Sequence, residues 1–194
     1  MSNAHDKVYN FAFKGLLTEE TLDRAGRKRK TNSNIPHQEL AEILAINNLS
    51  DDLVDNASKM AVVYTAIAAF ENGARELVSG VLLETKGENW WEQSVSKKVR
   101  DRAESRQKDE QKIKWHTQRG DHTINYTEID DLIKIIRNNW DEFEPFIQSV
   151  EWAASIFTAI ERSRNVIMHS GYLEREDVER LGVLIRDWIK QVGA

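Results

Sequence analysis

The residues best suited to chemistry stand together near the end of the sequence, in the stretch RNVIMH at 164–169. Arg164 is followed directly by Asn165, and His169 comes four residues after the asparagine. A guanidinium binds phosphate and stabilises developing negative charge, and an imidazole transfers protons near neutral pH. These residue types at this spacing make the stretch a candidate site for a phosphate-bearing ligand.

Arg164 has an unusual position on the helix that the sequence predicts over 146–169. Each residue of an ideal helix advances by about 100°, so Arg164 falls about 120° from Trp152. That direction lies between Ala153 and Phe157, on the apolar arc of the helix. A guanidinium does not lose its charge on burial and therefore needs an anion or water.

Two partners could satisfy Arg164. One is Glu71, a carboxylate that also interrupts an apolar run, in AAFENGAREL. The other is a phosphate that arrives from outside, in a cleft where this helix meets a neighbour. Helical geometry alone does not choose between a structural salt bridge and a binding site.

Asn165 and His169 lie together on the polar side of the same helix, close to its predicted end at Gly171. A histidine at a helix C-terminus is often only a favourable cation at the negative end of the helix dipole. The same placement stabilises the imidazolium, which suits a group that accepts and donates protons. The structural and catalytic interpretations of His169 therefore both stay open.

The elements that must position these residues are predicted to be helices throughout. The 194 residues include two prolines and nine glycines and are rich in strong helix formers. Thr127 with Asp130 forms the pattern of a capping box. Helices are predicted over 5–25, 36–46, 52–85, 95–119, 127–140, 146–169 and 174–191, with GENWWEQS as a turn. The prediction is an all-α, up-and-down helical bundle with an extra N-terminal helix and helical insertions.

Two regions are predicted along the chain. Residues 1–35 form an N-terminal helix and a basic polar linker that contains Arg24 and the run RKRK at 27–30. The simplest interpretation of such a run is a solvated loop. Residues 36–194 form the helical domain that carries the candidate site.

Composition excludes several classes of site and partner. The chain has no cysteine, which rules out disulfides, thiolate zinc sites and cysteine nucleophiles. Its net charge is −5, so nucleic acid would have to bind through a local basic patch. The first residues lack the apolar region of a signal peptide, and the longest apolar run, Met60 to Phe70, is too short to span a bilayer. A cytoplasmic protein without membrane contact is expected.

The strongest local basic patch lies in the helix predicted over 95–119. Residues 97–119 carry nine lysine or arginine side chains against four aspartate or glutamate side chains. Such a surface can follow an RNA backbone, although ion pairs along a solvated helix are an equally good interpretation. The candidate RNA-binding residues are Lys97, Lys98, Arg100, Arg102 and Arg106.

Two further groups of side chains could serve a ligand. Trp90 and Trp91 could stack on bases, but a tryptophan pair beside a glycine turn more often packs at the edge of a core. His116, Asp121 and His122 lack the spacing of a strong metal site, and no third or fourth ligand is evident. We therefore expect neither a metal nor another cofactor.

The stretch RNVIMH resembles the R-N-x3-H form of the R-x4-6-H motif of the HEPN superfamily, whose members are small α-helical bundles, many of them endoribonucleases. The flanking segments GENWWEQSVSKKVRDRAESR, INYTEIDDLIKIIRNNWDEFEPF and SVEWAASIFTAIERSRNVIMHSGYLEREDVERL are similar to one branch of these domains. That branch is attached to a nuclear transcript-surveillance endoribonuclease and has many bacterial relatives. The resemblance covers about 52–192 and implies a HEPN-like fold.

The resemblance implies a metal-independent endoribonuclease. In the implied chemistry the RNA 2′-OH attacks the adjacent phosphate, and the products carry a 2′,3′-cyclic phosphate and a 5′-OH. His169 would transfer a proton, Arg164 would stabilise the charge of the phosphorane, and Asn165 would orient phosphate or histidine. DNA would resist because it lacks the attacking hydroxyl.

The resemblance also implies partners. Members of the superfamily usually pair two domains, so a homodimer through the helix carrying Arg164 and His169 is expected, with RNA in the shared cleft. A toxin or anti-phage defence effector is the implied setting, with an antitoxin or a defence-complex protein as a further partner. The alternatives are a non-catalytic HEPN module that binds a protein or nucleotide, and a plain helical adaptor in which Arg164 pairs with Glu71.

Overall fold

A computed structural model describes residues 35–193 of the chain. The chain divides into two compact units, 1–50 and 51–194. The described part of the first unit contains helix α1, His37–Ile43, and a 3₁₀ turn at Ile46–Asn48. The helix predicted over 5–25 and the basic run at 27–30 lie outside the described residues.

The second unit is built from helices joined by short connections. A 3₁₀ turn at Thr123–Tyr126 stands between the third and fourth of them. The helices are α2 (Asp51–Lys86), α3 (Trp90–Ser94), α4 (Lys97–Gln111), α5 (Ile129–Asn138), α6 (Trp140–Phe143), α7 (Val150–Met168) and α8 (Arg175–Val192). No strand occurs within residues 35–193, and the predicted all-α class is confirmed.

The long helix α2 and the last helix α8 agree with the predicted bounds to within about one residue. Asp51 and Asp52 occupy the first turn of α2, where carboxylates meet the positive end of the helix dipole. At the other end Gly87 has a φ of 77°, in the left-handed region that favours glycine. The helix predicted over 52–85 thus ends where the sequence indicates, just before the turn GENWWEQS.

The stretch after Gly87 differs from the prediction in two ways. The predicted turn GENWWEQS contains the short helix α3, and the predicted helix over 95–119 ends at Gln111. The buried residues of α4, Val99 and Ala103, both lie in its first half. The helix does not continue to 119, although the residues after Gln111 include charged helix formers. Those residues bring no apolar face that could be buried against the domain.

The starts of α5 and α7 were also predicted too early. Helix α5 begins after Glu128, whose backbone N–H donates to the Asp131 carboxylate at 3.3 Å, so the reciprocal cap sits one residue later than predicted. Helix α7 begins after Ser149, whose hydroxyl accepts a hydrogen bond from the Trp152 N–H at 3.1 Å. A capping side chain sets the start of α7, four residues after the predicted start at 146.

The core lies where the middle of α2 packs against α5 and α7, and where α7 packs against α8. Edge-to-face aromatic contacts join three of these helices, with the Phe157 ring 5.2 Å from Phe70 and 5.1 Å from Trp188. The side chains that fill the core include Ile67, Val78, Leu82, Leu132, Ile135, Ile136, Ala153, Ile156 and Ile160. None of the helices within residues 35–193 is both long and apolar enough to cross a membrane. This packing holds the central part of α2 beside α7, which positions the candidate site.

Candidate active site

Arg164 lies one turn beyond the last fully buried residue of α7. Ala153, Phe157 and Ile160 are buried, as the apolar arc predicts, whereas 38% of the Arg164 side chain is exposed. The arc is covered by neighbouring helices only along part of its length. Arg164 is therefore at the margin of the core, where a guanidinium can remain hydrated on one side.

The carboxylate partner of Arg164 is Glu71 of α2. Nε of Arg164 lies 2.8 Å from Oε1 of Glu71, which is only 9% exposed. The contact is an ion pair and not an aligned hydrogen bond, since this Oε1 accepts no hydrogen bond from any residue between 35 and 193. The salt bridge that the sequence suggested as one of two solutions is thus present.

A second arginine shares the same carboxylate. Nη2 of Arg75, one turn along α2, lies 3.2 Å from Oε2 of Glu71 and donates to the carbonyl oxygen of Thr127 at 3.1 Å. Glu71 is therefore flanked by two guanidinium groups. Two nearby cations offset the cost of holding a carboxylate almost out of water, and the carboxylate in turn orients both of them.

These side chains open into a polar cleft of about 630 Å³. Arg164, Asn165 and Glu71 line it together. Three cations and three carboxylates face each other in it. The lining residues are Tyr64, Ala68, Glu71, Asn72, Arg75, Arg119, Asn125, Thr127, Glu128, Ile129, Glu161, Arg164 and Asn165.

Glu161 makes one wall of the cleft acidic. It lies one turn before Arg164 on α7 and is half-buried. Burial raises the pKa of the Glu161 carboxyl above its ordinary value, and the charges of Asp130 and Glu128 raise it further, while Arg164 acts in the opposite direction. The cleft thus holds a carboxylate whose negative charge is disfavoured.

His169 stands outside this cleft. It is exposed at the C-terminal end of α7, where its backbone N–H donates to the Asn165 carbonyl oxygen at 3.2 Å. The imidazole is therefore at the negative end of the helix dipole, as predicted. Within one chain the cleft contains Arg164 and Asn165, and His169 is not among its lining residues.

The stop after His169 is a Schellman motif. Gly171 N–H donates to the Val166 carbonyl at 2.8 Å, and Ser170 N–H donates to the Ile167 carbonyl at 3.0 Å. The left-handed residue is Ser170, with a φ of 60°, and not Gly171. Gly171 is needed for another reason, because a Cβ there would meet the Val166 side chain at 2.8 Å.

The five candidate RNA-binding residues of α4 divide into two kinds. Lys97 and Lys98 are exposed, and Arg100 is half-buried. Arg102 and Arg106 instead form ion pairs with the carboxylate of Asp131, which is 0% exposed. Arg106 also donates to the Tyr126 carbonyl at 2.9 Å. None of the five lines the cleft, and the two last arginines fasten α4 to the start of α5.

The tryptophan pair lies at the edge of the core. Trp90 and Trp91 are half-buried, pack against core residues, and meet edge to face with ring centroids 5.5 Å apart. This is the arrangement that the sequence favoured over base stacking. His116, Asp121 and His122 do not form a metal site. Within residues 35–193, no three histidine, aspartate or glutamate side chains are arranged so that they could hold one metal ion.

Two arginines of the cleft were not assigned to the site from the sequence. Arg75 stands four residues after Glu71, so its place on the same face of α2 could have been derived from helical spacing. Arg119 was counted only as part of a basic stretch. Its position in the cleft depends on the path of the loop after α4, which no local pattern predicts.

Comparison with known proteins places the chain in a family. Searches of curated proteins and of solved structures yield no match. The model of one family, described as Swt1-like HEPN, matches residues 65–193, which is more than half of the chain. Apart from Tyr64, every residue that lines the cleft is within the matched range. The chain belongs to the Swt1-like HEPN family.

Proposed function

We propose that this protein is a metal-independent endoribonuclease that cleaves RNA by attack of the 2′-OH on the adjacent phosphate. The observation that carries the proposal is the cleft in which Arg164, Asn165 and Arg75 gather around Glu71. Membership of a HEPN family, many of whose superfamily relatives are endoribonucleases, supports the same reaction class.

Arg164 is the residue that we expect to meet the reacting phosphate. Its Nε lies beside Glu71, and this ion pair restricts the positions that the guanidinium samples before a ligand binds. The Nη edge is then the part available to a phosphate. A pre-oriented cation that stabilises charge developing in the transition state accounts for rate factors of about 10²–10³ in comparable sites.

The remaining steps are proton transfers. The 2′-OH loses its proton as its oxygen bonds to phosphorus, and the 5′ oxygen gains a proton as its bond to phosphorus breaks. We assign one of these transfers to His169, the exposed imidazole at the C-terminal end of α7. Asn165, at the mouth of the cleft, orients the phosphate through its amide.

A second copy of the chain completes this proposed site. His169 is exposed and lies outside the cleft that holds Arg164 in the same chain. A homodimer through α7 would bring two such helix ends together, so that a histidine and an arginine act on one phosphate. A symmetric contact of this kind uses the same surface on both copies.

The test is cleavage of a single-stranded RNA by the full chain in the presence of a chelator. We expect Arg164→Ala and His169→Ala each to lower the cleavage rate by about 10²-fold or more. The products should carry 2′,3′-cyclic phosphate and 5′-OH ends, and an all-deoxy oligonucleotide of the same sequence should stay intact.

Matched controls separate chemistry from general damage. Arg175→Ala removes an exposed arginine that pairs with Glu179 on the surface of α8, and His37→Ala removes an exposed histidine of the first unit. Both variants should cleave at the rate of the wild type. Equal cleavage by the wild type, Arg164→Ala and His169→Ala would contradict the proposal, as would cleavage of the deoxy strand.

A non-catalytic HEPN module is the second candidate. The observation that favours it is the charge balance of the cleft, where Glu71, Glu128 and Glu161 offset Arg75, Arg119 and Arg164. Such a cleft could bind a protein or nucleotide without chemistry. Binding that survives His169→Ala, together with no cleavage by the wild type, would favour this alternative.

For the biological setting we propose a toxin or anti-phage defence effector that acts in the cytoplasm under the control of a partner protein. Induced expression of the wild type should then arrest growth, and expression of Arg164→Ala at the same level should not. A wild type that is harmless at high expression, with active protein recovered from the cells, would contradict this setting.

A further inference from the structure

The loop between α4 and the 3₁₀ turn, residues 112–122, carries the most exposed tryptophan of the chain. The Trp115 side chain is 86% exposed, whereas the other five tryptophans are buried or half-buried. Tryptophan is enriched at binding interfaces, because it offers a large apolar ring together with a polar N–H. The nearest aromatic group is the ring of His116, 5.5 Å away and perpendicular to it.

The neighbours of Trp115 make this loop basic. In the segment KIKWHTQR at 112–119, Lys112, Lys114 and Arg119 are exposed, and no carboxylate interrupts them. Lys112 pairs with Asp109 at 2.6 Å at the end of α4. An aromatic ring flanked by cations suits nucleic acid, since a ring stacks on a base while the cations meet phosphates.

The far end of the loop is anchored at the cleft. Arg119 pairs through Nε with Glu110 at 2.5 Å, and its backbone N–H donates to the same carboxylate at 3.1 Å. Burial alone would raise the pKa of Glu110, but the Arg119 hydrogen bonds and charge hold that pKa below its ordinary value. The Arg119 guanidinium also lies 5.7 Å from the ring centroid of the buried Tyr126.

Arg119 therefore connects the loop with the proposed site. It lines the same cleft as Arg164 and Asn165. Arg119 is four positions after Trp115, so the two Cα atoms lie at most about 14 Å apart. One short oligonucleotide can reach both.

We propose that residues 112–119 form a stacking platform for single-stranded RNA, in which Trp115 stacks on a base and Arg119 contacts a phosphate of the strand as it enters the cleft. This inference rests on the proposed function, because it takes RNA as the ligand of the cleft. It assigns a stacking role to Trp115, which is exposed, whereas Trp90 and Trp91 are half-buried and pack against the core.

The experiment measures binding of the full chain to a single-stranded oligonucleotide with 2′-O-methyl groups, which the proposed chemistry cannot cleave. At fixed ionic strength we expect Trp115→Ala to weaken binding by about 5- to 150-fold, the range for loss of one base–aromatic stack. Trp115→Phe should retain most of the affinity. Ile113→Ala, a truncation of an exposed apolar neighbour in the same loop, is the matched control and should bind like the wild type.

An abasic oligonucleotide separates stacking from other effects of the substitution. Removing bases should weaken binding to the wild type but should cause little further loss in Trp115→Ala, because the ring and its base form one interaction. Equal affinity of Trp115→Ala and the wild type for the intact strand would overturn the inference and would leave Trp115 as a protein-docking side chain. Equal losses from base removal in both proteins would overturn it as well.

These outcomes are independent of the cleavage test. If the wild type cleaves RNA and Trp115→Ala binds and cleaves equally well, the platform is wrong and the proposed function stands. If the oligonucleotide binds through Trp115 but no RNA is cleaved, the platform stands and the catalytic proposal is wrong. Because Trp115 is exposed, its substitution should leave the thermal unfolding midpoint unchanged, which circular dichroism checks.

Discussion

Glu71 and Asp131 are the carboxylates that the described residues of the second unit hold nearly or fully out of water, and their surroundings differ. Asp131 is 0% exposed and pairs with Arg102 and Arg106, which join it from α4. It also accepts the backbone N–H of Glu128. Lys134 of α5 lies 3.7 Å from the same carboxylate, so the charged partners of Asp131 come from the two helices α4 and α5 that meet at this junction.

Glu71 lies instead at the wall of a cleft. Its partners, Arg75 and Arg164, both line that cleft, and Arg164 is 38% exposed. Arg102 is 36% exposed, almost the same fraction, so exposure of the arginine does not distinguish the two pairs. The difference lies in the space beside the pair. A cation beside an open cleft can bind a ligand anion in addition to its own carboxylate, whereas one closed into a junction serves the fold.

The largest effect on stability is expected at Asp131. Asp131→Ala should lower the free energy of unfolding by about 3–5 kcal/mol, because it removes the fully buried carboxylate that Arg102 and Arg106 share and leaves two partly buried guanidinium groups without it. Chemical denaturation at neutral pH measures the change. Asp130→Ala, a neighbouring carboxylate that pairs with Lys134 at a partly exposed position, is the control and should cost less than about 1 kcal/mol. Comparable losses in the two variants would show that Asp131 is not a special anchor.

The two arginines of equal exposure provide the next test. Arg102→Ala should cost about 1.5–3 kcal/mol of unfolding free energy, because the fully buried Asp131 loses a charged hydrogen-bond donor. Arg164→Ala should cost less than about 1 kcal/mol, because Glu71 keeps Arg75 and the cleft admits water. The order reverses for RNA cleavage, where Arg164→Ala is the damaging substitution. A larger stability loss for Arg164→Ala would favour the purely structural interpretation of that residue.

Glu71→Ala should lower the free energy of unfolding by about 1–3 kcal/mol, less than Asp131→Ala, since water in the cleft can hydrate the released arginines. Thermal unfolding and RNA cleavage are measured on the same sample. We expect cleavage to fall by a larger factor than stability explains, because Arg164 loses the carboxylate that orients it. Cleavage that stays at the wild-type rate would mean that the ion pair has no part in positioning Arg164.

The smallest of the four effects is expected at Glu161, and it depends on pH. Because the pKa of Glu161 is raised in the native state, the protonated carboxyl contributes to the free energy of unfolding, and this contribution is fully present at low pH. It is lost as pH rises from the ordinary value near 4.5 through the raised folded value. Glu161→Gln should therefore match the wild type at low pH and be the more stable protein at neutral pH. Denaturation midpoints across this range measure the difference, and a constant offset at every pH would contradict the assignment.

Some helix bounds follow from the sequence, and others depend on tertiary packing. The bounds of α2 and α8 were predicted closely, because strong helix formers fill both stretches and a glycine follows each of them. The helix predicted over 95–119 was too long, since charged residues are good helix formers even where nothing packs against them. The starts of α5 and α7 depended on which of several polar side chains reached a free N–H.

The sequence by itself determined the all-α class, the family, and the group Arg164, Asn165 and His169 with Glu71 as the carboxylate to suspect, because helical spacing and residue type are local properties. Only the tertiary structure decided that Arg164 and Asn165 share a cleft with Arg75 and Arg119 while His169 stays outside it. It also decided that Arg102 and Arg106 serve the buried Asp131, and that Trp115, not Trp90 or Trp91, stands in solvent. The physical reason is that the groups packed beside a charge or a ring decide whether it is available to a ligand or is used within the fold. Packing brings together residues that are far apart in the chain, so the sequence does not show those groups.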